Sequence, residues 1–224
     1  MHQLLTGRLD EYYWYYVRMD KSIEAKIRWA AIFGFCFLLS VIIQQTVLRA
    51  INKVTPSSAA EFYFIFAFWS LALLPFFATL VLNVRGYLHL AKKYNSGILK
   101  AGAWVFSFAA AALYPLILLQ VFQADTLVDT AIADALIGLI VLPYIGGLIV
   151  IGLSVYTLRK QLGNVVFWPV GVGAIVLLEV IFVVLLYLMG RSAPAFAVWY
   201  VWIPVYETMF VIANIILFSR AARG

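Results

Sequence analysis

Charge is the first thing this chain is short of. Asp, Glu, Lys and Arg make up 12% of its 224 residues, about half the share usual in soluble domains. Hydrophobic residues make up 65% and the mean hydropathy is +0.99. Such a composition excludes water as the only solvent and reads as an integral, multi-pass protein of a bacterial cytoplasmic membrane or an organellar one. Cysteine is nearly absent. Cys36 alone, inside the first apolar run, excludes an intrachain disulfide and a thiolate metal cluster and leaves the redox compartment unreadable. The two histidines, His2 and His89, are not central to any apolar run, which excludes haem held by paired imidazoles within the spans. No lysine lies deep in a run, so a retinal Schiff base is excluded as well. Zinc spacings, a phosphate loop ending in Gly-Lys-Ser/Thr and a Gly-x-Ser-x-Gly elbow are missing, and Gly171-Val-Gly173 is a lone fragment of a dinucleotide fingerprint. No catalytic residue, metal or other cofactor is expected, and the chain does not read as an enzyme.

What is present is apolar sequence in span-sized pieces. A hydrocarbon core about 30 Å thick requires about 20 apolar residues per helix. Six runs meet this length, near Trp29–Leu48, Phe62–Val84, Ala101–Ala124, Ala131–Leu158, Gly163–Met189 and Ala195–Ser219. The links are short, which favours antiparallel neighbours and an up-and-down all-α bundle, and none is long enough for a soluble domain. Ahead of the runs, Leu9, Tyr13, Tyr16, Ile23 and Ile27 recur at helical spacing opposite Arg8, Glu11, Arg18, Ser22 and Lys26. This predicts an interfacial amphipathic helix from Leu5 to Ile27, within an N-terminal segment of residues 1–28 that precedes a transmembrane domain of residues 29–224. Tyr13, Trp14 and Tyr16, within the run Tyr12–Tyr16, are candidate anchors at headgroup depth.

The cations are distributed unevenly. Arg8, Arg18, Lys21, Lys26 and Arg28 precede the first span, Arg85, Lys92, Lys93 and Lys100 join the second to the third, Arg159 and Lys160 join the fourth to the fifth, and Arg220 and Arg223 end the chain. The other side has only Arg49, Lys53 and Arg191. The positive-inside bias therefore predicts both termini on the cytoplasmic side. It also explains the net charge of +6 without nucleic acid, which is not expected as a partner. The far side carries Asp125 and Asp129, four residues apart, which read either as solvated acids or as ligands for a hard cation.

Two features set the interior apart. Small residues are concentrated in the third run, Gly102 and Ala109–Ala112 among them, and in the fourth, at Gly138, Gly146, Gly147 and Gly152. Helices bearing such residues can approach closely, so these two are expected to form the tight centre. Pro115, Pro143, Pro169 and Pro204 predict local kinks. The last two runs each carry one acid, Glu179 and Glu207. A carboxylate at the bilayer centre costs at least about 2.5 kcal/mol, so it is hidden, paired, protonated or used. The 1.5 Å rise per residue puts the two at roughly similar depth, about 24 and 18 Å from the basic side. Tyr200, Glu207 and Asn214 follow a seven-residue spacing and form one polar stripe. The stripe reads either as a proton or cation relay or as packing polarity. Gln44, Gln45, Gln120, Gln123 and Asn83 read as interhelical hydrogen-bonding groups, and His89 as a solvated or satisfied histidine.

The run Leu80-Val-Leu-Asn-Val-Arg-Gly-Tyr-Leu-His-Leu-Ala, then Ser96-Gly97, Ala110-Ala-Ala-Leu-Tyr-Pro115 and Gly152-Leu-Ser-Val-Tyr-Thr-Leu-Arg159, resembles the Yip family of small polytopic membrane proteins over about half the chain. That family typically has five spans against the six predicted here. The resemblance implies a membrane-organising or partner-binding protein with no catalytic residues to carry over. The interfacial first helix, six spans, internal termini and basic second link also look like the membrane subunit of ATPase-driven exporters, although the link Gly190–Pro194 is short for the re-entrant segment many of those carry. Two functions follow as expectations. One is a non-enzymatic subunit or scaffold in contact with the lipid bilayer and other membrane-protein subunits. The other is a transporter using Glu179 and Glu207.

Overall fold

The computed structural model describes residues 21–43, 46, 58–122, 130–188 and 192–223, and among them every regular element is helical, with no strand. The first helix, α1, is described over Lys21–Ile43. It is followed by α2 (Ala59–Val84), α3 (Gly86–Lys93), α4 (Gly97–Phe122), α5 (Thr130–Thr157), a single turn α6 (Arg159–Leu162), a 3-10 turn (Gly163–Val166), α7 (Phe167–Leu188) and α8 (Ser192–Ala221). Residues Lys21–Arg28, expected to close a separate interfacial segment, run without a break into the first apolar stretch. No proline or glycine between Lys21 and Phe33 interrupts the helix.

Local chemistry marks the other boundaries. Ser58 is extended (φ −145°) and its hydroxyl accepts from the Glu61 amide at 3.3 Å, which caps α2. At Arg85 the chain turns, and the basic link expected between two spans holds a helix of its own, α3. That helix ends on Asn95, whose φ of 50° is left-handed. The Ser96 amide returns to the Ala91 carbonyl at 2.9 Å, and the Ser96 hydroxyl then receives the Leu99 amide at 3.3 Å to start α4. Pro75, in addition to the prolines expected to kink their spans, joins Pro115 and Pro143 inside helices. The Tyr114 hydroxyl donates to the Ser70 carbonyl at 3.0 Å, next to the Leu71 carbonyl that Pro75 deprives of its helical donor. Pro169 stands at the third residue of α7, in the first turn, where no helical hydrogen bond is lost.

The helices α4 and α5 pack along each other extensively, and the small residues expected to let them approach lie at their contact. A Cβ on Gly102 would stand 2.7 Å from Val150, and one on Gly147 would stand 2.9 Å from the Phe106 side chain and 3.0 Å from its backbone nitrogen. Packing continues from α2 to α4, α5 to α7 and α7 to α8. The circuit closes through α1, whose Gly34 meets Ile215 of α8 and Asn83 of α2 and whose Phe37 lies 4.7 Å from Phe76. An aromatic series crosses the middle: Tyr144 to Phe106 at 4.5 Å, Phe106 to Phe210 at 5.8 Å, Phe210 to Tyr87 at 6.4 Å and Tyr87 to Phe218 at 5.0 Å. It ties α5, α4, α8 and α3 together.

Much of the outer surface is apolar too. Phe108 is 77% exposed and Leu142 72%, and Trp29, Phe35, Leu39 and Ile42 project from α1 opposite its buried Ile23, Ile27, Ala30 and Phe37. By length and composition three described stretches suffice to cross a membrane, Lys21–Ile43, Tyr63–Lys93 and Gly97–Pro115. A fourth is reached if Leu142–Thr157 and Arg159–Ile175, which meet at 61°, count as one span.

Candidate functional site

Two of the buried polar residues of the described interior, Asn83 and Asn214, meet where α1, α2, α3 and α8 come together, whereas Ser107 of α4 and Ser154 of α5 are buried elsewhere. Gly86 makes this meeting possible, because any Cβ there would lie 2.6 Å from Ala30 Cβ and 2.7 Å from the Phe218 ring. With α3 pressed against α1 and α8, the fully buried Tyr87 side chain enters the bundle and its hydroxyl donates to Asn214 Oδ1. Asn214 Nδ2 donates to Asn83 Oδ1 at 3.0 Å, and Asn83 Nδ2 donates to the Ala30 carbonyl at 3.0 Å. Both carboxamides are fully buried, so each bond replaces water that could not reach the group. The chain of donors runs from phenol to amide to amide to backbone. A carboxamide neither takes up nor releases a proton near neutrality, and the bonds of this series join α3, α8, α2 and α1 to one another.

A second contact locks the same four-element junction from its charged end. Lys93 Nζ lies 3.1 Å from Glu24 Oε1 and donates at 2.8 Å to the Ala221 carbonyl, one of the last carbonyls of α8, which lack helical partners. The lysine therefore clasps α1 and α8 to α3. Its neighbours on α3 point elsewhere: Arg85 and Lys92 are exposed and His89 half-buried. The Arg85 guanidinium rests 5.6 Å from the centre of the Trp104 ring, and Arg159 rests 4.7 Å from that of Phe167. Half-burial holds the His89 imidazole below its ordinary pKa, and Lys26, Arg85 and Lys92 add to the depression.

No family model matches the chain, and neither a curated protein nor a solved structure matches it.

Of the residues picked out in the sequence, Asn214 and Asn83 are brought together, although the sequence placed them in separate roles. Asn214 reaches the Tyr87 phenol and Asn83. The side chains of Tyr200, Glu179 and Glu207 lie outside the described residues, as do Tyr13, Trp14, Tyr16, Gln44, Gln45, Gln120, Gln123, Asp125 and Asp129. The backbones of α7 and α8 pack along each other. Among the described residues no group of three or more His, Cys, Asp or Glu side chains is placed to hold a metal ion. Tyr87 and Lys93 were missed. Tyr87 stands one helical turn beyond Asn83, a spacing that shares a face, and the adjacent Gly86 was the remaining signal that α3 approaches the bundle closely.

Proposed function

We propose that the chain is a non-enzymatic, six-span membrane subunit or scaffold that acts through helix contacts with partner proteins and lipids. The observation that carries this reading is the Tyr87–Asn214–Asn83–Ala30 series. Buried polar groups of the junction are engaged in fixing α1, α2, α3 and α8 to one another, with side chains that do not titrate near neutrality. Such a junction supports a rigid platform. The resemblance to the Yip family implies the same kind of role.

Length and charge support the reading of six crossings. Helices α2, α4, α5, α7 and α8 have 26, 26, 28, 22 and 30 residues, and even the shortest is about 33 Å long at 1.5 Å per residue. Counting α5 and α7 as a single bent span would put Arg159 and Lys160 near the bilayer centre, at a cost of about 3 kcal/mol each. Both are exposed at the break, so a break at the membrane surface is favoured, with each helix crossing separately. Both termini then share the basic, cytoplasmic side.

Purification from its own membrane in a mild detergent tests the role. Companion chains in fixed stoichiometry support the subunit reading. The transporter reading draws on the close packing of α7, which carries Glu179, with α8, which carries Glu207. Cation-dependent flux in vesicles containing only this chain, abolished by Glu179→Gln or Glu207→Gln, would overturn the scaffold proposal.

A further inference from the structure

Two contacts set the register of α3 against α1. Gly86 meets Ala30, and seven residues further along α3 Lys93 meets Glu24, six residues back along α1. The two helices therefore run antiparallel, and between these contacts Lys26 comes opposite His89. Along α3 and its N-cap, Arg85, His89 and Lys92 follow a spacing of four and three and share one face, while the other face, Gly86, Tyr87, Leu90 and Ala91, is buried. The seam so formed presents Lys26, Arg85 and Lys92 exposed and His89 half-buried. Its acid among the described residues is Glu24, and Lys93 already holds it. The positive charge of the seam is thus left without a counter-charge from the described chain. Trp104 under Arg85 and Trp29 one turn from Lys26 are half or more exposed, as rings at headgroup depth are.

We propose that the seam between α1 and α3 is a binding site for the phosphate of an anionic glycerophospholipid in the cytoplasmic leaflet, held by Lys26, Arg85 and Lys92, with His89 as a fourth, pH-dependent donor. The proposal rests on the membrane topology given above. A phosphodiester supplies the acceptor oxygens that these cations lack, and its acyl chains lie along the exposed apolar flanks of α1 and α4, on which Ile32, Phe35, Ile98 and Phe108 project. Charged groups reach His89 from α1 as Lys26, with Glu24 engaged by Lys93, and from α3 as Arg85 and Lys92. Of the other packed elements, α4 carries Lys100 in its first turn, α8 carries Arg220 in its last, and α2 carries no charge on its half nearest α3. These cations disfavour the imidazolium until an anion sits among them. Anion binding then restores the imidazole's affinity for a proton, and acidification strengthens binding.

Native mass spectrometry tests this on the full chain in nanodiscs of phosphatidylcholine doped with phosphatidylglycerol. Retained phosphatidylglycerol is counted as the collision voltage rises. Preferential retention of phosphatidylglycerol is expected. Neutralising Arg85 or Lys92 to Gln should weaken it about fivefold each, from about 1 kcal/mol per surface cation, whereas Arg220→Gln and Lys160→Gln, at the same end but off the seam, should leave it unchanged. His89→Gln should abolish only the gain at mildly acidic pH. Equal retention of both lipids, equal loss in the off-seam variants, or full displacement by inorganic phosphate would overturn the site. Terminal tags found on opposite faces of the nanodisc would instead overturn the topology on which it rests.

Discussion

At the scale of single residues, the buried amides define what the junction does. Tyr87→Phe removes the phenolic donor and leaves Asn214 Oδ1 buried without it, a loss of about 1 kcal/mol by the measured range for membrane hydrogen bonds. Asn214→Leu severs the bonds to both Tyr87 and Asn83. The double variant should then be destabilised by less than the two single effects added, since one bond is shared. Reversible unfolding in mixed micelles measures this, and strict additivity would show that the phenol and the amide do not interact. His89 allows a second prediction. Its imidazole is held below the ordinary value of 6.5 in the folded chain, so between that lowered value and 6.5 the unfolded chain binds more protons. Its contribution to stability is therefore complete above about pH 6.5 and is lost as the pH falls through the folded-state value. In neutral detergent His89→Gln should flatten that part of the stability profile. A profile as steep as that of the parent protein would assign the dependence to another group.

At the scale of helices, adjacent glycines on α5 provide a matched comparison. A Cβ on Gly147 would meet the Phe106 backbone at 3.0 and 3.1 Å, whereas one on Gly146 would find no atom within 4 Å. Backbone cannot step aside as a flexible side chain can, so Gly147→Ala must part α4 from α5 and is expected to cost about 1 to 3 kcal/mol. Gly146→Ala should be neutral or slightly stabilising, because alanine has the better helix propensity. Equal unfolding midpoints for the two variants would contradict the close α4–α5 contact. This contact was legible in the sequence as runs of small residues, and the described helices fall close to their predicted ranges because proline, glycine and charge punctuate an apolar chain clearly. α3 was not legible. Eight residues between cations read as a link, and only the burial of Tyr87 and Leu90 on one face makes them a helix with an inside. The polar network escaped for a related reason. Spans apolar on every side have no periodic contrast to show which face looks inward, so Asn83 and Asn214 could each be placed at a depth but not turned towards one another.

At the scale of the whole molecule, the deciding quantity is the parity of crossings, because it places every polar group on one side or the other. If α5 and α7 cross separately, Lys92, Lys160 and Arg220 all face one compartment and Ser58, the cap of α2, faces the opposite one. If the 61° break lies within a single span, Lys160 is buried in lipid and Arg220 changes sides relative to Lys92. Clasping by Lys93 bears on this choice, since its bond to the Ala221 carbonyl brings the end of α8 beside α3. A chain whose α8 ended in the other compartment would have to break that bond and the Tyr87–Asn214 bond together, stranding two buried polar partners. Single cysteines placed at Ser58, Lys92, Lys160 and Arg220 in a Cys36→Ser background distinguish the two arrangements. With a membrane-impermeant maleimide applied to sealed right-side-out vesicles, Ser58→Cys should label at once. The other three should label only after permeabilisation, and Lys160→Cys should then react as fast as Lys92→Cys. Persistent protection of Lys160→Cys after permeabilisation, with Arg220→Cys labelled from outside, would replace the six-span bundle with five crossings.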